Sequence, residues 1–192
     1  MSLTPLRTAV LELIRAKGLR SFDQPLQLSS GEYSRHFIDA KRALARGADL
    51  RTACLAMVEI VAEAGVEFDA VGGLTLGADQ FAHGVALVAD KGWFVIRKQP
   101  KGRGTDQWVE GTVLGPGVRV LLVDDIVTTG GSIQQAHERV VAEGAEVVFA
   151  ITTVDRGDVA GAYFAEHGVP YRPLLRYTDL GIPRVGDEAA PG

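Results

Sequence analysis

Val120-Leu121-Leu122-Val123-Asp124-Asp125-Ile126-Val127-Thr128-Thr129-Gly130-Gly131-Ser132 is the stretch on which the fold turns. Residues 118–123 are mostly apolar and β-branched, as in a strand buried on both faces. Two carboxylates end that strand and a loop of Thr and Gly follows. A helix over 132–143 then opens with a Ser-x-x-Gln capping box (Ser132, Gln135) and closes at Gly144. Ligands of open α/β sheets bind outside the carboxyl ends of the strands. Here Gly130 and Gly131 let the backbone approach a phosphate, the helix start supplies free N–H groups, and Thr128, Thr129 and Ser132 add hydroxyl donors. Asp124 and Asp125 carry the wrong charge for a phosphate. They suit sugar hydroxyls, or a Mg²⁺ ion carried by a substrate. The chain contains no Gly-x-x-x-x-Gly-Lys-Ser/Thr segment, which argues against a P-loop nucleotide hydrolase.

Outward from this loop, strands and helices alternate. Strands are expected over 69–73, 93–96 and 147–154, with a helix over 78–90, so the pattern predicts a mostly parallel sheet flanked by helices. Upstream, Thr4-Pro5 starts a helix that Gly18 stops. A hairpin follows over 25–29 and 34–40, and then a second helix capped by Asp49, with Cys54 on its apolar stripe. The 192 residues suit one domain, expected over 1–182, with residues 183–192 a flexible tail. The net charge of -4 disfavours non-specific nucleic-acid binding. A single cysteine rules out an internal disulfide and is consistent with the cytoplasm. No signal peptide and no membrane span are expected. The four histidines lack metal-ligand spacing, and His36, within the hairpin, is the best candidate for a functional one.

Arg97-Lys98-Gln99-Pro100-Lys101-Gly102-Arg103-Gly104 puts four cations into seven residues just after the 93–96 strand. On charge alone this is as readily a solvated run or a nucleic-acid patch as a closing loop for a polyanion such as pyrophosphate.

The stretch 123–132 closely resembles the ribose-phosphate-binding signature of type I phosphoribosyltransferases. The Arg-Lys-x-x-Lys loop with Glu110-Gly111 resembles the catalytic loop of orotate phosphoribosyltransferases. Three further stretches match: 28–41 resembles the hood over the base, 72–79 the pyrophosphate-side loop, and 154–156 the site where an arginine meets orotate. The sequence departs from many members at Arg103, which stands for a histidine, and at Gly157-Asp158, which stands for Glu-Gly. Ser29 stands where some members have lysine.

The resemblance implies a type I phosphoribosyltransferase fold with a small hood, mainly from about 20–42. It implies transfer of ribose 5-phosphate from phosphoribosyl pyrophosphate to orotate, with Mg²⁺, in pyrimidine biosynthesis. Asp124 and Asp125 would hold the ribose hydroxyls. Thr128, Thr129, Gly130, Gly131, Ser132, Arg103 and Gly77 would bind the donor, and Arg156 with Thr128 would bind orotate. Arg97 and Lys98 would meet the pyrophosphate within their own subunit, and Lys101 would reach into the neighbour's site in a homodimer. Three alternatives stay open: a purine or uracil transferase of the same fold, a non-catalytic RNA-binding regulator, and, for Arg156, a surface ion pair with Asp155 or Asp158.

Overall fold

The computed structural model describes residues 3–100 and 107–187, so the expectations on Lys101 and Arg103 lie outside the described residues. Helix α1 (Pro5–Leu13) starts as the sequence suggests, with Thr4 accepting a hydrogen bond from the Arg7 N–H. Its last turn widens into a π-helical segment, Ile14–Gly18, before strand β1 (Leu19–Gln27). Strand β2 (Tyr33–Ile38) returns antiparallel, and the two form a separate small sheet with a register shift between Ser21 and Leu26. This is the hood. Helices α2 (Ala40–Ala43) and α3 (Gly47–Glu63) lead into the main sheet. Asp49 does not cap α3, which begins two residues earlier; its carboxylate binds the Lys17 ammonium at 2.5 Å instead.

The rest of the chain alternates: β3 (Ala70–Leu74), α4 (Asp79–Ala89), β4 (Gly92–Ile96), β5 (Val109–Gly111), β6 (Arg119–Val127), α5 (Gly131–Ala142), β7 (Glu146–Asp155), α6 (Val159–Glu166), β8 (Tyr171–Arg176) and α7 (Tyr177–Leu180), of which β5, α6, β8 and α7 are elements that the sequence reading does not place. The strands lie in the order β5-β4-β3-β6-β7-β8, and only β5 runs antiparallel. Successive β6 residues serve opposite faces. Leu121 and Val123 join the core under α1, α3 and α4, and Val120 and Leu122 join the core under α5 and α6. Both faces are covered, which explains the unbroken apolar run. Cys54 is buried in the first core, and burial pushes its thiol up to about 12, so it is a packing residue.

Three boundaries differ from the sequence reading. Strand β6 continues through the two carboxylates to Val127, because β7 runs beside it as far as Asp155. The capping box at Ser132 does not form: Gly130, at φ +80, turns the chain so that α5 begins at Gly131, and no side chain caps it. Packing on the domain also continues past residue 182. Val185 is buried and its N–H donates to the Arg156 carbonyl at 3.0 Å.

Candidate active site

Parallel topology brings the loops after β3, β4, β6 and β7 to one end of the sheet, and the hood leans over that end. Between them lies a cleft with two adjoining recesses of about 370 and 510 Å³, which share Lys98, Asp124, Thr128 and Ser132 in their walls.

The second recess is walled by the glycine-rich loop after β6. Thr128, Thr129, Gly130, Gly131 and Ser132 line it. Gly130 has the positive φ that an L side chain rarely adopts. The uncapped start of α5 leaves first-turn N–H groups free of side-chain acceptors, and the helix dipole adds partial positive charge there. This wall is built for an anion.

Of the carboxylate pair, Asp124 borders both recesses and Asp125 the first. Asp124 is 4% exposed, and its Oδ1 accepts the Asp125 N–H at 2.9 Å. Burial, and then the charge of Asp125, push the Asp124 carboxyl up to about 7 against the pull of Lys41 and Lys98. Asp125 accepts the Ile126 N–H at 2.7 Å and forms a short ion pair with Lys41 at the end of the hood. Gly77 sits against both acids, and a Cβ there would strike the Asp124 carboxylate. The loop that carries Gly77 contains a cis peptide between Thr75 and Leu76.

Arg156 closes the far wall of the first recess. Its side chain is among the largest fully buried ones, at 1% exposure. Nη1 donates to the His36 carbonyl at 2.7 Å and Nη2 to the Ser34 hydroxyl at 3.0 Å. The surface-pair alternative therefore fails. Asp155 is itself buried, accepting from the Tyr171 hydroxyl and from the N–H groups of Gly157 and Asp158. Asp158 pairs with Arg176 at 2.9 Å.

The cleft thus gathers Asp124, Asp125, Thr128, Thr129, Gly130, Gly131, Ser132, Gly77, Lys98 and Arg156. Arg97 is not gathered with them. It pairs with Glu110 at 2.9 Å and lines a neighbouring recess that also holds Lys98. The sequence reading missed Lys41 as a partner of Asp125, and Ser34 as a partner of Arg156. Both stand in the hood-like stretch, but only tertiary packing shows where they point. His36 serves through its backbone carbonyl; its ring meets Ser21 at 3.0 Å. Among the described residues no group of His, Cys, Asp and Glu forms a metal cluster.

Residues 51–162 match the phosphoribosyl transferase domain family. The chain is 36% identical over 180 residues to the orotate phosphoribosyltransferase of Aquifex aeolicus, covering 91% of this chain and 97% of that one. Two crystal structures of the Mycobacterium tuberculosis H37Rv orotate phosphoribosyltransferase superpose on it across 93% of this chain and 100% of that one. The complex with Fe(III) dicitrate gives a TM-score of 0.77 at 33% identity. The complex with 5-phospho-alpha-D-ribosyl 1-diphosphate gives 0.74 at 32%.

Proposed function

The chain belongs to the orotate phosphoribosyltransferases, and from that membership we propose that it transfers ribose 5-phosphate from phosphoribosyl pyrophosphate to orotate, forming orotidine 5'-monophosphate and pyrophosphate for pyrimidine biosynthesis. One observation carries the choice of base: a fully buried guanidinium, Arg156, opens on the same recess as the carboxylate pair. Orotate brings a carboxylate, and a carboxylate in a closed site needs a charged partner able to offer parallel N–H donors.

The reaction is a displacement at the anomeric carbon. The bond from that carbon to the pyrophosphate oxygen breaks, and pyrophosphate leaves with the electron pair. A pyrimidine nitrogen bonds from the opposite face, its proton passing to solvent. Asp124 and Asp125 accept the ribose hydroxyls, and their charge favours the cationic sugar ring of the transition state. The Thr128–Ser132 loop anchors the 5-phosphate, and Thr128 also borders the base recess. Lys98 stabilises the growing charge on pyrophosphate, with Arg97, Lys101 and Arg103 of the basic loop assigned to the same task by resemblance.

The oxygen donors present fit Mg²⁺. The pair is acceptor-only, and burial with mutual repulsion leaves Asp124 short of compensating positive charge. Asp124 and Asp125 would hold the ion in part, the substrate supplying the rest, and bound Mg²⁺ would neutralise the leaving pyrophosphate.

A homodimer belongs to the same proposal. Leu76, at 71% exposure, shares a recess with His83 and Trp93, and Leu87, at 84%, follows His83 by one turn of α4, so exposed apolar side chains suited to a second copy stand on this side of the molecule. A cytoplasmic setting is proposed with it, in keeping with a single reduced cysteine. No helix among the described residues is long and apolar enough to cross a membrane.

The test is a panel of orotate, uracil, adenine and hypoxanthine with phosphoribosyl pyrophosphate and Mg²⁺, scored by nucleotide formed. Orotate should be used at least 100-fold better than the others by kcat/KM. Faster use of any other base would replace this reading with another transferase. No turnover of any base would favour the non-catalytic alternative.

A further inference from the structure

We infer that Ser34, in the hood, is the positioning residue that lets Arg156 discriminate orotate from bases lacking its carboxylate; the inference rests on the proposed pairing of Arg156 with orotate.

A long arginine side chain has many rotamers to lose, so a guanidinium recognises a carboxylate best when something else already holds it. The backbone of Arg156 is fixed by the sheet: its N–H donates to the Val127 carbonyl at 2.8 Å and its carbonyl accepts the Val185 N–H at 3.0 Å. The guanidinium is fixed from across the cleft, by β2. The Ser34 Oγ accepts from Nη2 at 3.0 Å and also from the His36 N–H at 3.0 Å. The second bond holds the β2 backbone in the bend whose next acceptor, the His36 carbonyl, receives Nη1 at 2.7 Å. One hydroxyl therefore bears on both of these contacts with the guanidinium fork. Ser34 is 1% exposed, so water does not readily replace it. A guanidinium has five N–H donors. The two donors given to β2 orient the plane of the guanidinium, which lines the recess where the proposed function places the carboxylate.

Sequence distance makes the arrangement informative. Ser34 and Arg156 lie 122 residues apart, and β1–β2 is a separate two-stranded sheet. The bond thus couples the hood to the orotate end of the main sheet. Ser34 acts through Arg156 and does not line the cleft wall itself.

The test compares binding of orotidine 5'-monophosphate and uridine 5'-monophosphate, which differ by that carboxylate alone, to the wild-type protein and to Ser34→Ala, Ser34→Thr and Arg156→Ala. Calorimetry gives both Kd values, and thermal melts verify folding. Ser34→Ala should weaken orotidine 5'-monophosphate binding about tenfold, ~1.4 kcal/mol, and leave uridine 5'-monophosphate binding within twofold. Ser34→Thr, which keeps the hydroxyl, should retain most of the preference, and Arg156→Ala should abolish it. If Arg156→Ala abolishes the preference and Ser34→Ala leaves it intact, the inference is overturned while the Arg156 reading stands. An equal loss on both nucleotides in Ser34→Ala, or a threonine variant no better than alanine, would assign Ser34 to packing and also overturn it. If Arg156→Ala keeps the preference, the orotate assignment of Arg156 falls first and this inference with it.

Discussion

Replacing Asp124 by Asn should stabilise the ligand-free protein while disabling it, and the stabilisation should depend on pH. The Asp124 carboxyl lies at about 7 in the fold against an ordinary 3.8, raised first by burial and then by Asp125. Below pH 3.8 it is protonated in both states and costs nothing. Between 3.8 and about 7 the unfolded chain gives up the proton while the folded one keeps it, so folding stability falls by ~1.36 kcal/mol per pH unit. Above about 7 the penalty is constant, with a ceiling of ~4 kcal/mol. Asn keeps the shape and the acceptor for the Asp125 N–H but has no proton to lose. Its advantage over Asp should therefore grow by ~3 kcal/mol between pH 5 and pH 8. In a chain of this size that is roughly 6–12 °C in Tm. The assay is a pair of thermal melts at each pH without substrate, with kcat/KM measured alongside. Activity should fall about 10²–10³-fold, the usual cost of a lost transition-state contact. A Tm difference that does not change with pH, or an Asn variant less stable than wild type at pH 8, would refute the reasoning.

Two further outcomes are expected, the first from the geometry at Gly77 and the second from the family resemblance of the basic loop. Gly77→Ala sets a methyl group against the Asp124 carboxylate and should lower kcat/KM on the order of 10²-fold with only a small change in Tm; near-normal kinetics would remove Gly77 from the site. Mixing inactive Lys101→Ala with inactive Asp125→Asn should restore part of the activity if each site takes a lysine from the partner subunit, since one site of the mixed dimer is intact; no recovery after verified subunit exchange would count against shared sites.

How much could be read in advance depended on whether a residue acts through its own segment. The run 120–132 is local: strand, carboxylates, glycine turn and helix follow in order, and Asp124, Asp125 and Thr128 to Ser132 line one cleft. The details that failed were those in which one local preference competed with another. Ser132 followed by Gln135 is a sound capping signal, but the left-handed Gly130 begins the helix sooner. Asp49 is a good cap residue, but Lys17 takes its carboxylate. Arg97 and Lys98 look equivalent in sequence, yet Arg97 is turned to Glu110 while Lys98 also borders the carboxylate recesses. Helix α6 and strand β8 gave a weak pattern: Ala160 and Phe164 are buried, but alanines and a glycine fill much of the remaining helix. The pairings of Lys41 with Asp125 and of Ser34 with Arg156 join segments 84 and 122 residues apart, and no local rule reaches across such distances.

The most direct test of the central claim, that this cleft chooses orotate through Arg156, is kcat/KM for orotate and for uracil in the wild type and in Arg156→Ala. A buried guanidinium paired with the carboxylate predicts a loss of ~2–5 kcal/mol for orotate on truncation and a much smaller change in any weak uracil turnover. An equal loss on both bases, or almost none on either, would contradict the claim.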